Sequence, residues 1–139
     1  MHAVDTNVLT RMITGDPADQ AESAARLFSA NSIWISKTVL LETSWVLQSV
    51  YGFSEDAVVN ALDRVVGLPQ VSVEDLPCVD AALELRSAGL DFADALHVCS
   101  RPSEVPFMTF DKTLVKRAQR AGLSGVSELR SKRGATPGL

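Results

Sequence analysis

Short β-favouring segments, each followed by a helical pattern, constrain this chain more than any other feature. "HAV" runs into "TNVLTRMIT", where Val8, Leu9, Met12 and Ile13 fall at helical spacing, and "GDP" ends that helix. Asp16 and Pro17 then read as the N-cap and first-turn proline of a second helix, with Ala21, Ala24, Ala25, Leu27 and Phe28 on its apolar side. "SIWIS" is a strand, dense in β-favouring residues. A helix from Lys37 to about Tyr51 buries Leu40, Leu41, Val46 and Leu47, and Ser54, Glu55 and Asp56 open another through Val58, Val59, Leu62 and Val66. "LPQVSV" gives a third strand, Pro77 starts a helix, "LDFADALHVCS" is a further helix, "PFMTF" a fourth strand, "KTLVKRAQRAG" a helix and "SGVSEL" a short last strand. Strands separated by helices need crossover connections, and these impose a mostly parallel sheet. The expected architecture is a three-layer α/β/α sandwich around a sheet of about five strands.

A chain of 139 residues is ample for one core, and one domain over 1–129 is expected, followed by a basic, flexible tail at 130–139, "RSKRGATPGL". At 46% hydrophobic and 22% charged residues the composition is that of an ordinary globular protein. No apolar run approaches the roughly 20 residues of a bilayer span, and Asp5 interrupts any secretory signal. Cys78 and Cys99 fit neither a redox pair nor a zinc spacing and are read as small buried residues in a reducing cytosol, so the expected location is cytoplasmic.

Charge is unevenly distributed. Residues 1–111 carry 6 basic and 16 acidic side chains, whereas 112–139 carry 7 basic and 1 acidic. An acidic body therefore ends in a basic segment, which is either a solvated face or a nucleic-acid contact.

Four acids stand in apolar settings. Asp5 follows "HAV" and Asp111 follows "FMTF", at the carboxyl ends of strands where parallel sheets bind ligands. Glu42 and Asp94 interrupt apolar helices, among Leu41, Trp45, Ala93 and Leu96. Taken singly, each acid reads as an N-cap or a salt-bridge partner, most readily Asp111. Buried carboxylates, however, need partners, and six basic residues in the acidic body are few. A hard divalent cation, Mg2+ or Mn2+, takes oxygen ligands and would answer that need.

"VDTNVL", "LLETSWVL", "DFADALHV" and "MTFDKTL" together resemble the four acidic motifs of PIN-domain nucleases, especially VapC-type toxins of bacterial toxin–antitoxin pairs, over about residues 3–127. The resemblance implies that Asp5, Glu42, Asp94 and Asp111 are metal-binding catalytic residues, supported by Asn7, Asp91 and Thr109. It also implies a metal-dependent endoribonuclease, with RNA as substrate, Mg2+ or Mn2+ as cofactor, inhibition by a cognate VapB-type antitoxin, and a homodimer able to join a larger toxin–antitoxin assembly. The segment "SRPSEVPF" departs from the usual glycine-containing connection.

Other classes compete. A receiver-like regulatory domain also gathers acids at strand ends, but it places an adjacent acidic pair where Asp5 is followed by Thr6. A haloacid-dehalogenase-type phosphatase wants a second Asp where Asn7 stands. His97, three residues after Asp94, reads as a packed or hydrogen-bonded histidine, and Trp34 and Trp45 read as core rather than base-stacking platforms. Thr6 and Asn7 could cap the first helix. Lys112, Lys116 and Arg120 follow Asp111 along one helix and are the expected RNA-binding residues, with Arg117, Arg130, Lys132 and Arg133 adding to the basic end.

Overall fold

Thr6, Lys37, Glu55, Phe92 and Lys112 each begin a helix directly behind a polar residue whose side chain accepts a backbone N–H, and these caps set the punctuation of the chain. The structure, a computed structural model, describes residues 1–131 and Gly138. Its strands are β1 (His2–Ala3), β2 (Ile33–Ile35), β3 (Val71–Val73), β4 (Phe107–Thr109) and β5 (Val126–Glu128). Its helices are α1 (Thr6–Thr14), α2 (Ala18–Ala30), α3 (Lys37–Ser49), α4 (Glu55–Val66), α5 (Leu76–Glu84), α6 (Phe92–Cys99) and α7 (Lys112–Arg120), with a 3₁₀ turn at Leu85–Ala88. At the second helix the expectation needs correcting: Pro17 itself is the N-cap of α2, and Asp16 lies before it.

Every strand pair is parallel, as the alternation with helices requires, and the fold is α/β. The five strands divide between two sheets, in the order β1-β2-β3 and β4-β5. β1 supplies only two ladder residues, and its outer edge, where His2 and Ala3 are exposed, carries no strand among the described residues.

The apolar residues form two clusters. The larger gathers Leu9, Phe28, Ile33, Ile35, Leu40, Leu47, Leu62, Val79 and Phe92 from α1 through α6, and Leu114 of α7 reaches it. The smaller joins Val98 of α6 to Ala118 of α7 and Val126 of β5. Asp111 is therefore carried on a β4–α7–β5 unit seated on α6. Trp34 and Trp45 do not belong to the core, against expectation; they are 36% and 66% exposed, because their positions on β2 and α3 face solvent. Cys78 is buried and Cys99 half-buried, and both thiols are free. Burial, the neighbouring Cys78 and, in opposition, Arg101 leave the Cys99 thiol above its usual pKa. Among the described residues no helix is long and apolar enough to cross a membrane.

Candidate active site

Asp5 and Asp111 stand directly before α1 and α7, Asp94 lies in the first turn of α6 and Glu42 lies within α3. Asp5 is the N-cap of α1, where its Oδ1 accepts the Val8 N–H at 3.0 Å. Asp111 caps α7 in the same way, its Oδ1 accepting the N–H groups of Thr113 at 2.9 Å and Leu114 at 3.1 Å. The first turn of a helix has unpaired N–H groups and a positive dipole end, so an anionic cap there is favoured twice. Each carboxylate keeps its other oxygen out of the capping bond. Thr109 adds a further constraint, its hydroxyl accepting the Asp111 N–H at 3.0 Å.

Glu42 stands on the exposed side of α3, and Thr6, next to Asp5, donates its hydroxyl to Glu42 Oε2 at 3.4 Å. Thr6 thus links the start of α1 to α3, a role that capping alone did not suggest; Asp5, not Thr6 or Asn7, is the cap. Asn7 is exposed and faces the α1–α2 cleft with Val8, Arg11, Asp19 and Leu27.

Asp94 has the most developed surroundings. The Asp91 carboxylate caps α6 by accepting the Asp94 N–H at 2.8 Å, and Glu55 Oε1 reaches across from α4 to accept the Phe92 N–H at 2.8 Å. Two amides of the first turn of α6 are thereby satisfied from two different elements. Burial raises the Asp94 carboxyl above its usual pKa, the charges of Asp91 and Asp111 push in the same direction, and His97 opposes them. Glu55 has no signal in the sequence beyond its place in the first turn of α4; its work for α6 depends on a contact 37 residues away.

Several expectations are corrected here. Asp5, Glu42 and Asp111 are exposed and only Asp94 is half-buried, so the premise of buried, unpaired carboxylates does not hold for three of the four. β1 and β4 are short enough that the chain has reached the surface at Asp5 and Asp111, whereas Glu42 stands on the outward face of α3. His97 is exposed rather than packed, and it opposes the rise of the Asp94 pKa. Lys112, Lys116 and Arg120 are all exposed on α7, with Lys112 Nζ 4.0 Å from Glu128 Oε1. Arg130 is also exposed, while Lys132 and Arg133, with most of the basic tail, lie outside the described residues.

The structure thus brings Asp91, Asp94 and Asp111 within electrostatic reach of one another and ties Glu42 to the start of α1. It does not bring the four acids into one coordination sphere. Among the described residues, no three His, Cys, Asp or Glu side chains stand close enough to hold one metal ion. The donor chemistry suits a hard divalent cation, but the spacing as it stands does not.

The family comparison follows the same stretch of chain. A family model described as PIN domain matches residues 3–120, from the last residue of β1 to the last of α7. No curated protein and no solved structure matches the chain. A match that spans the capped acids at Asp5 and Asp111 and everything between them places the chain in the PIN domain family.

Proposed function

We propose that the chain is a metal-dependent endoribonuclease and the toxin of a toxin–antitoxin pair. PIN domains are generally metal-dependent nucleases, and the match covers most of the chain. The observation that carries the catalytic reading is Asp94: a half-buried carboxyl with its pKa raised, with the charges of Asp91 and Asp111 beside it. Such a group is a better proton acceptor near neutral pH than an ordinary carboxylate.

Mg2+ or Mn2+ is the proposed cofactor. Asp5, Glu42, Asp94 and Asp111 would have to draw closer than they stand to share one ion, so the roles assigned here are those of the side chains themselves. Hydrolysis of a phosphodiester needs a water aimed in line at phosphorus, a group to take its proton, and donors for charge that builds on the phosphate oxygens. Asp94 takes the proton. Asp91 fixes the start of the helix that carries Asp94, and Thr109 fixes the backbone of Asp111. Lys112, next to Asp111, supplies positive charge to the phosphate. The polyanionic strand is attracted along α7 by Lys116 and Arg120.

The toxin role rests on the resemblance of the four motifs to VapC-type proteins. A VapB-type antitoxin is proposed to place a basic side chain, most simply an Arg, against the carboxylates, where planar bidentate pairing is favourable. A homodimer and a larger toxin–antitoxin assembly in the bacterial cytoplasm complete the proposal.

The deciding experiment incubates purified protein with RNA and, separately, with a chromogenic phosphate monoester. Each incubation is run with Mn2+, with Mg2+ and with chelator. RNA cleavage that chelator stops, without ester hydrolysis, is expected; ester hydrolysis alone would replace the nuclease by a phosphatase. Cleavage unaffected by a co-purified neighbouring antitoxin would remove the toxin role, and light scattering of the free protein tests the dimer.

A further inference from the structure

We propose that a hollow beside Asp111 is a binding site for one nucleotide of a single-stranded nucleic acid, with Phe110 as its stacking platform and Lys112 and Arg130 as its phosphate contacts. The proposal rests on the nuclease reading above and adds to it a place where the substrate strand is gripped. The hollow measures about 450 Å³ and is lined by Phe110, Lys112, Glu128, Leu129, Arg130 and Ser131.

Phe110 is 66% exposed, although it sits between a strand and a capped helix start where burial was available to an apolar residue. Leu129, in the equivalent place after β5, is 46% exposed. The Leu129 N–H donates to the Thr109 carbonyl at 2.7 Å, so the two strand ends are locked together and the apolar pair is held on a rigid support. A single exposed apolar residue is ordinary on a monomer surface, but Phe110 and Leu129 line one hollow together with charged side chains, and apolar surface rimmed by polar residues marks an interaction site.

The cations decide what covers it. Lys112 and Arg130 line the same hollow, and Glu128, its one carboxylate, is half-buried and 4.0 Å from Lys112 Nζ. An aromatic face with two cations beside it is the arrangement that holds unpaired bases and their phosphates, because every base has a stacking face and every linkage a charge. A free phosphate would have no use for the ring, and an apolar peptide would leave the two cations without a partner. Position agrees as well. The hollow adjoins Asp111, and Lys116 and Arg120 continue from Lys112 at intervals of four residues along α7.

The test measures binding of a fluorescent single-stranded RNA oligonucleotide by anisotropy, using the full chain in an Asp94→Asn background, with gels confirming that the oligonucleotide stays intact. Phe110→Ala should weaken binding roughly tenfold, within the range of one lost stacking contact. Phe110→Trp should restore it and report the contact directly through quenching of the new indole. An oligonucleotide with all bases removed should bind Phe110→Ala and the parent alike. Lys112→Gln and Arg130→Gln should each flatten the salt dependence by somewhat less than one phosphate's worth, about 0.7 in the logarithmic slope. Equal affinity of the parent and Phe110→Ala for the intact oligonucleotide would overturn the site. A change of oligomeric state in Phe110→Ala at unchanged RNA affinity would overturn it in favour of a contact between copies. If the parent binds no RNA at all, the nuclease reading fails along with it. Far-ultraviolet circular dichroism guards against misfolding, which an exposed position makes unexpected.

Discussion

The Asp91 carboxylate accepts the backbone N–H of Asp94 at 2.8 Å, while its negative charge helps to hold the Asp94 carboxyl above its ordinary pKa. One side chain thus starts a helix and tunes the acid three residues along it, and the two tasks can be separated. Asp91→Asn keeps a good cap and removes the charge, so α6 should retain its stability while the acid limb of the cleavage pH profile moves to lower pH. Asp91→Ala should move the limb likewise and also cost about 1 kcal/mol of stability, the usual worth of a lost cap. Coinciding pH profiles for the parent and Asp91→Asn would show that Asp94 is not the titrating base.

Asp94 itself gives a prediction in which activity and stability move apart. Removing a general base typically costs a hundredfold or more, so Asp94→Asn should lose RNA cleavage by at least about that factor. The stability effect follows from proton linkage. Because the folded pKa lies above the unfolded value, folding takes up a proton; the stability contributed by Asp94 is present at low pH and is lost as pH rises through the folded pKa. At neutral pH the charged carboxylate is therefore a burden that Asn does not carry. Asp94→Asn should melt at a higher temperature than the parent at neutral pH, and the advantage should fade below the ordinary value of 3.8. Thermal unfolding of both proteins across that range, in chelator, checks the sign; a lower melting point for the variant at neutral pH would contradict it.

Periodicity and punctuation made the element order legible. Asp5, Ser36, Ser54, Asp91 and Asp111 all lie directly before helices that the apolar spacing had marked, and all five cap them. Capping is local chemistry, written in a residue and its next few neighbours. What the sequence could not convey was the environment of each acid. The apolar neighbours of Glu42 and Trp45 suggest packing, yet both residues are exposed, since burial depends on which face of α3 meets α1, α4 and α6. The division of the strands into two sheets was equally hidden, because a strand pattern carries no record of its partner. The help that Glu55 gives to α6 and the link from Thr6 to Glu42 span 37 and 36 residues and are products of the fold.

Leu114 offers a test of how Asp111 is held. It is 6% exposed, lies three residues after Asp111, and is the α7 residue that joins the large core cluster, whereas Ala118 packs in the smaller one. Its own N–H is one of the two that the Asp111 carboxylate caps. Leu114→Ala should cost about 2–4 kcal/mol through lost burial and the cavity left behind. Because the loss falls where α7 meets the main body, cleavage should decline more than it does in Leu47→Ala, a core truncation of similar chemistry on α3 away from Asp111. Comparing specific activities of the two variants well below their melting temperatures makes the test; equal activities would mean that Leu114 serves stability alone.

The basic stripe on α7 makes the last prediction. Lys112, Lys116 and Arg120 are exposed at four-residue intervals on a helix whose cap is Asp111, so they share one face next to the acids. A polyanion approaching carboxylates is repelled at close range, and the stripe supplies the opposing attraction over a longer one. Each phosphate neutralised on a single strand releases counterions and adds about 0.7 to the logarithmic salt slope, so the triple replacement by Ala should flatten that slope by roughly 2. Affinity at low salt should fall steeply, and the difference should shrink as ionic strength rises and screens the exposed charges. The fold should be unaffected, because none of the three side chains is buried. Binding of intact RNA by the Asp94→Asn protein, with and without the triple replacement, measures both quantities across a salt series. Superimposable curves would take this face of α7 out of the substrate path and leave it as a solvated surface.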